Sequence, residues 1–466
     1  MKRIRIIFIC TFFVIIAVPI ITFNWKENVV SEIDNRELTN NPFGDNYVSD
    51  GSTDLTDAIE DYLQDRIGLR DEMITAYTVL NDRLFHEMVH PTYEYGKDGY
   101  VFGKTGNNVV FSDYHVQFAD MVEKIQTYCE ERSIPFVFVF DPSKSTVLQD
   151  KLANGINYNA EWVQEFKNVL DEKGINYVDN TDLLKEKTEE GEAVFNQKYN
   201  AGHWNDLGAF YGVNNILENL NNFIPTIHIN TKDEFDITEK LNETLQVSRF
   251  PIHEYEPEFS PKCEITDLTE EFQDEVEIDY QYRTFIYTLN QTRKDEGAPK
   301  ALVFQGSYMN GMGYKFLENS FGEYIAVHDY QNVTNFDYYY NIFQPDCVIF
   351  EVAEYTMTER YFSSDRMKNM DMNPAIDTFS NLPTEEYDLN EDEIVTETGN
   401  ELTKIRVSAI PEDTEYAYLL IGDKVFDLMK DEEGDGYTVT VENGYWEDGS
   451  VQIISISTDN RMRIYD

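Results

Sequence analysis

The chain has 466 residues, with 87 acidic against 37 basic side chains and a formal net charge of −50. Such an excess excludes generic nucleic-acid binding, because phosphates would be repelled instead of neutralised. A hydrophobic share of 41% and an aromatic share of 14% are too rich for a disordered acidic polymer, so the charge covers a folded body long enough for two or three domains.

The first segment, 1–24, reads as a membrane anchor. Met1-Lys2-Arg3-Ile4-Arg5 is basic, and Ile6 through Phe23 is apolar apart from Thr11, Pro19 and Thr22. A bilayer core needs about 20 such residues, and the flanking positive charges place the N-terminus in the cytoplasm. A cleaved signal peptide is the rival reading, but the exit Ile21-Thr22-Phe23-Asn24-Trp25-Lys26 lacks a small-x-small site. From Asn24 onward the chain is then extracytoplasmic, single-pass at the cell membrane. Only Cys129, Cys263 and Cys347 lie outside the anchor, without metal-like spacing, so at most one disulfide can form. A cysteine-poor exported protein fits a bacterial cell surface.

Residues 25–55 are polar and rich in Asn, Asp and Ser, a tether with little core. A helical pattern follows from Asp54 to Met88, through Ile59, Leu63, Ile67, Ile74, Val79 and Leu84. At its end His86-Glu87-Met88-Val89-His90 has the zinc-peptidase spacing. Pro91 puts His90 in the last turn, however, and no third ligand follows, so no metal site is expected. Tyr93 to Phe102 predicts a hairpin turning at Asp98-Gly99. Asp113-Tyr114-His115, on the approach to the next helix, reads as surface. Helices over Phe118–Arg132 and Trp162–Lys173 then alternate with strands at 135–140 and 175–178, and another helix starts after Asn205. Strands return at Ala301–Phe304 and 346–350. This alternation predicts a parallel α/β sheet. Residues 225–280 form an acidic insertion with no assignable elements. His228, His253 and His328 have no recognisable partners, and Tyr338-Tyr339-Tyr340 reads as packing.

Beyond 365 the pattern changes. Residues 366–403 read as a linker, and 404–466 as a small antiparallel β-sandwich-like accessory domain. Its strands fall at Ile405–Ala409, Tyr416–Ile421, Tyr437–Val441, Val451–Ile456 and Arg461–Tyr465, with turns such as Asp435-Gly436 between them. Acidic runs such as Asp431-Glu432-Glu433 are solvated faces. No GxGxxG or Walker pattern occurs, so no cofactor is indicated.

Two stretches carry chemistry. Leu302-Val303-Phe304-Gln305-Gly306-Ser307-Tyr308 is an apolar run delivering a serine to the edge of a parallel sheet. Tyr199-Asn200-Ala201-Gly202-His203-Trp204-Asn205-Asp206 puts a histidine just before Asn205, a natural N-cap. A serine hydroxyl needs a base to take its proton, so Ser307 and His203 matter only as a pair. As a pair they point to acyl transfer.

The order of these pieces resembles the alginate O-acetyltransferase family of SGNH-hydrolase-like proteins, the AlgJ/AlgX type. The matching elements are Asp65-Arg66-Ile67-Gly68-Leu69-Arg70-Asp71, Gly96-Lys97-Asp98-Gly99-Tyr100-Val101-Phe102, Asp141-Pro142-Ser143-Lys144, His203-Trp204-Asn205 with Gly208-Ala209, Gly306-Ser307-Tyr308 and Pro345-Asp346-Cys347-Val348-Ile349-Phe350-Glu351. The resemblance implies a three-layer SGNH-like α/β domain over 56–365. It also implies an O-acetyltransferase that forms an acetyl ester on Ser307, with His203 as base, and acts on hydroxyls of a cell-surface or exported polysaccharide. A membrane-bound O-acyltransferase partner would supply the acetyl group. Asn200, Asn205, Asp206, Gly306, Tyr308 and Lys144 are candidate supporting residues. Two positions depart from the family. Ala201 stands where an Asp precedes the histidine by two residues, and Gln305-Gly306 replaces Gly-Asp before the serine. Without that carboxylate, either Asn200, Asp206 or a backbone carbonyl orients His203, or the protein works as a Ser-His dyad, or catalysis is lost. A carbohydrate acetyl esterase and a catalytically silent glycan-binding or assembly protein are the alternative readings.

Overall fold

The computed structural model describes residues 2–466 apart from 32, 34–35, 45–46, 48–53, 105–108, 157, 280–282, 390–392, 409, 432–435 and 447–449. Helix α1 (Lys2–Ile21) is long and apolar enough to cross a membrane, and none of its span is buried in the protein. The helical pattern expected from Asp54 to Met88 is two helices, α2 (Leu55–Arg66) and α3 (Arg70–Phe85). They break at Gly68-Leu69, where Leu69 takes a left-handed φ of 58°. Gly68 is required at the break: a Cβ there would fall 2.0 Å from Thr22 Oγ1. Its N–H donates to Pro19 O (2.9 Å), and Asn24 N–H donates to Arg66 O (2.8 Å), so the exit of α1 is bound to the α2–α3 corner.

The segment expected as a coreless tether is held in the same way. Ile33 and Leu38 are buried, and so is the whole Arg66 side chain. Its guanidinium donates to Thr39 O (2.9 Å), Leu38 O (2.9 Å), Asn40 Oδ1 (2.8 Å) and the Lys26 carbonyl. A buried cation persists only with its donors satisfied, and here backbone carbonyls of the segment do it. Composition hid this because three of the four partners are main-chain carbonyls. Residues 48–53 of the segment lie outside the described residues.

The main sheet has seven strands: β1 (Phe136–Asp141), β2 (Tyr177–Asp179), β3 (Thr266–Asp267), β4 (Phe285–Leu289), β5 (Lys300–Gln305), β6 (Glu323–His328) and β7 (Cys347–Ala353). Their order is β2-β1-β7-β5-β6-β4-β3. The first five in that order are parallel, and β4 and β3 close one edge antiparallel. Period-two alternation splits β5 between two cores. Leu302 and Phe304 join Phe118 and Val122 of α4 (Asp113–Glu131) and Trp162 and Phe166 of α5 (Glu161–Lys173). Ala301 and Val303 face Ala209, Val213 and Ile216 of α6 (Asp206–Asn221). The result is the three-layer α/β arrangement, with β5 and β7 at its centre. Within the acidic insertion, Phe235–Thr244 and Pro251–Pro261 pair as an antiparallel hairpin.

The C-terminal sheet holds eight strands: β8 (Thr384–Tyr387), β9 (Ile394–Thr398), β10 (Leu402–Val407), β11 (Thr414–Ile421), β12 (Lys424–Lys430), β13 (Tyr437–Glu442), β14 (Val451–Ser457) and β15 (Met462–Tyr465). Every pairing is antiparallel except β8 with β15. Strands β8 and β9 lie inside 366–403, the segment expected as a linker. Their outward faces are exposed, which erased the apolar alternation. Strand β12 was unforeseen because Asp427 interrupts it. That carboxylate is buried and accepts from Tyr128 OH (2.5 Å) of α4 and from Arg132 Nη2 (3.1 Å) just past its end, which ties the two sheets together. Ala409, Glu432, Glu433 and Asp435 lie outside the described residues.

Candidate active site

Strand β5 ends at Gln305, and the chain turns at Gly306 into a helix that starts at Ser307. Gly306 N–H donates to Glu351 Oε2 of β7 (2.7 Å), and Asn310 N–H closes the first turn on Gly306 O (3.0 Å). A π-turn follows over Met309–Gly313. Ser307 therefore stands at the carboxyl end of a central parallel strand, the usual place for a site in such sheets. The first N–H groups of its helix have no intrahelical acceptor.

The histidine loop is fixed from three sides. Glu254 of the hairpin accepts the backbone N–H of Gln197 (2.6 Å), Lys198 (2.9 Å) and Tyr199 (2.5 Å). Lys144 is fully buried. Its N–H donates to Gly202 O (3.1 Å) and its ammonium to Val101 O (2.8 Å) and Gln197 O (3.2 Å), while burial pushes its pKa down to about 7. Tyr308 reaches Gly202 O (2.8 Å) and Pro142 O (2.9 Å) with its hydroxyl and accepts Trp204 Nε1–H on its carbonyl (3.3 Å). The residue after the serine is thus bonded to both neighbours of the histidine.

His203 Nε2 lies 2.7 Å from Ser307 Oγ, and Nδ1 lies 2.9 Å from Asn200 Oδ1. The same Oδ1 accepts the backbone N–H of His203 (3.1 Å). A backbone N–H can only donate, so the amide atom facing it is the oxygen. Nδ1 must then carry the proton, and Nε2 presents its lone pair to Ser307. Asn200 is buried and sits at φ 53°, a left-handed conformation that Asn tolerates. Burial pushes the His203 pKa down to about 4, so the imidazole is a neutral acceptor at neutral pH.

The other supporting candidates do different work. Asn205 caps α6 through Gly208 N–H (3.0 Å) and donates to Ala193 O (2.6 Å). Asp206 accepts Phe259 N–H (2.8 Å) and Lys315 Nζ (2.7 Å), away from the imidazole. Ala201 packs in an apolar cluster with Val101, Leu245 and Phe250. No sequence feature had singled out Tyr355, whose hydroxyl is 2.6 Å from Ser307 Oγ and 3.3 Å from His203 Nε2. It follows β7 by two residues, and its place just past a strand end was the one signal available. These groups open into a cleft of about 880 Å³ whose lining includes Trp162, Tyr330, Tyr361 and Arg360.

The remaining histidines lie elsewhere. His86 is a left-handed cap beyond the end of α3, and His90 is buried against Ser248 Oγ (3.1 Å), so the two do not share a helical face. His115, expected at the surface, is buried beside Trp162 and accepts Ser112 N–H (3.2 Å) in a capping box. His228 pairs with Glu234 (2.7 Å), and His328 Nδ1 lies 3.1 Å from Asp329. Among the described residues no group of three or more His, Cys, Asp or Glu is arranged to hold a metal ion.

The sequence matches no curated protein. Solved structures with a related fold include Bacillus cereus PatB1 carrying a sulfonyl adduct (18% identity, TM-score 0.43, 58% of this chain and 96% of that one). The O-acetyltransferase domain of Pseudomonas putida AlgJ is another (13%, 0.41, 60% and 99%), as is Pseudomonas aeruginosa AlgX (16%, 0.38, 77% and 89%). A family model described as "SGNH hydrolase-like domain, acetyltransferase AlgX" matches residues 95–274, a span that includes His203 and stops before Ser307. Over that span the chain is similar to the SGNH hydrolase-like domain of acetyltransferase AlgX.

Proposed function

We propose that the protein is an extracytoplasmic O-acetyltransferase that passes an acetyl group through Ser307 to a polysaccharide hydroxyl. The observation that carries this is the chain of contacts from Asn200 Oδ1 to His203 Nδ1 and from Nε2 to Ser307 Oγ, at 2.9 and 2.7 Å. In acylation Oγ attacks the carbonyl carbon of the donor, its proton moves to Nε2, and that proton leaves with the donor's departing group. In transfer a glycan hydroxyl attacks the acetyl carbon, gives its proton to Nε2, and Nε2 returns it to Oγ as the C–Oγ bond breaks. The N–H groups opening the helix at Ser307 hold the oxyanion in both steps. The apolar helix α1 and its basic flank support an extracytoplasmic site, to which a membrane-bound O-acyltransferase would deliver acetyl groups. An orienter at Nδ1 argues against a silent protein, since an idle imidazole has no need of a fixed tautomer.

The test is to expose the detergent-solubilised full chain to 4-nitrophenyl acetate, with and without oligosaccharides. A 42-dalton adduct on Ser307 (about the mass of one acetyl group replacing a proton) and sugar-dependent turnover are expected. Turnover to acetate alone would make the protein an esterase. Absence of the adduct in folded protein refutes both.

A further inference from the structure

We infer that Tyr355 guards the acyl-acceptor position, and so sets whether the acetyl group goes to a sugar or to water; this rests on the transferase reading above. In the free site Nε2 has one lone pair, and Ser307 O–H takes it at 2.7 Å. Tyr355 O–H must then donate to Ser307 Oγ, at 2.6 Å. Once Oγ has become an ester oxygen it has no proton to give and is a weak acceptor. The Nε2 lone pair falls free, and the nearest donor is Tyr355 O–H, 3.3 Å away. The phenol turns from Oγ to Nε2 and caps the base.

That is also where an attacking hydroxyl must stand. It has to reach the acetyl carbon on Oγ and hydrogen-bond to Nε2 at once, and the Tyr355 oxygen already satisfies both proximities. The residue lies on a short turn, Glu354–Thr356, with 38% of its surface exposed, so the side chain has room to swing away. A water molecule has only its own hydrogen bond to offer in exchange. A sugar held along the 880 Å³ cleft brings binding energy from many contacts and can displace the phenol. Transfer then proceeds with the atoms as written above, and hydrolysis is held back without any wall against water.

The experiment compares wild type, Tyr355→Phe and Tyr355→Ala as full chains in detergent. Each is acetylated briefly with 4-nitrophenyl acetate, freed of reagent, and followed by intact mass in buffer without sugar. The acetyl-Ser307 lifetime should fall about tenfold in Tyr355→Phe, the factor for one net hydrogen bond. Tyr355→Ala should match or exceed that fall. Tyr355→Phe keeps the ring, so its result stands if the alanine variant folds poorly. An unchanged or longer lifetime in Tyr355→Phe overturns the role. So does a burst slowed by about 10²–10³, the mark of a lost oxyanion donor. If wild type forms no adduct, the transferase reading fails and this role with it; an adduct with equal lifetimes sinks only the role of Tyr355.

Discussion

Replacing Asn200 by aspartate changes one atom at the back of the imidazole and leaves its shape intact. Asp tolerates φ 53° as Asn does, and a carboxylate oxygen in place of Oδ1 still accepts both His203 N–H and Nδ1–H, at 3.1 and 2.9 Å. The tautomer is already correct in the native protein, so the loss of about 10⁴ that follows Asp→Asn in a serine protease, where the amide imposes the wrong tautomer, has no counterpart here. What the amide lacks is charge. A carboxylate about 4 Å from the imidazolium is worth about 4 kcal/mol at an effective dielectric constant near 20, and removing that carboxylate from water at a position only 5% exposed cancels part of it. The balance is a rise of about 1–3 units in the imidazole pKa, hence about tenfold or more in the rate of Ser307 acylation. Hydrolysis of 4-nitrophenyl acetate against pH reads both quantities. The active base is neutral, so activity is full above the histidine pKa and lost as pH falls through it. In Asn200→Asp that limb should move up from its native position near 4. Asn200→Ala, which leaves Nδ1–H without an acceptor, should lose about 10²–10⁴. An alanine variant within a few-fold of wild type would show that the imidazole is not oriented by Asn200, and the catalytic assignment would lose its support.

Restoring the family carboxylate by Ala201→Asp should give no gain. Ala201 faces Val101, Leu245 and Phe250, so an unpaired charge there costs several kcal/mol and appears as a lowered melting temperature. Glu254→Ala frees three backbone N–H groups of the histidine loop. It should lower kcat for ester hydrolysis by about 10²-fold, the cost of a 1 Å misplacement, with KM little changed. In wild type the acid limb of the rate profile should lie near pH 4, below the 6.5 of an ordinary histidine, because burial disfavours the imidazolium. A limb at 6.5 or above would mean that the ring is better solvated than its surroundings imply.

The parallel sheet was legible because its central strands are buried on both faces and read as unbroken apolar runs. Ser307 and His203 were legible because one follows such a run and the other precedes a helix cap. The orienter was harder. The family pattern drew attention to position 201, and nothing local distinguishes Asn200 until its φ turns the amide back onto the ring. The 235–261 hairpin was illegible for the opposite reason. Most of its side chains are exposed, so little apolar pattern survives, yet its Glu254 holds the histidine loop. Tyr355 reaches Ser307 from 48 residues away. A contact of that kind is set by how β5 and β7 lie side by side, and no stretch of sequence encodes it alone.

The acids buried inside this chain give its stability an unusual slope with pH. Asp337 is buried beneath the C-terminal sheet, and desolvation with nearby Asp427 pushes it up to about 7. Glu318 is pushed up to about 7 by burial and by Asp267. Behind Ser307, Asp141, Glu351 and Asp329 are fully buried and raised mainly by burial. In the unfolded chain such groups titrate near 4. Between about 4 and 7 the folded state therefore binds more protons than the unfolded state, and stability rises as pH falls through that window. For Asp337 alone the effect is on the order of 4 kcal/mol at full extent. His203 opposes it between about 4 and 6.5, where only the unfolded chain takes its proton, but it is one group against several. Lys144, lowered to about 7, also opposes it, but only above that value, where the unfolded chain alone keeps the proton. The melting temperature should accordingly be higher at pH 5.5 than at pH 8, and Asp337→Asn should flatten the difference. A melting temperature that falls steadily on acidification from pH 8 would mean that these carboxyls are ionised in the folded protein. Among the described residues lining the cleft the only carboxyl is Glu354, whose oxygens are taken by Ser143 N–H, Thr146 and Tyr158. Burial also disfavours charge on the carboxyls behind Gly306, so in a chain of net charge −50 the proposed oxyanion would meet little fixed negative charge.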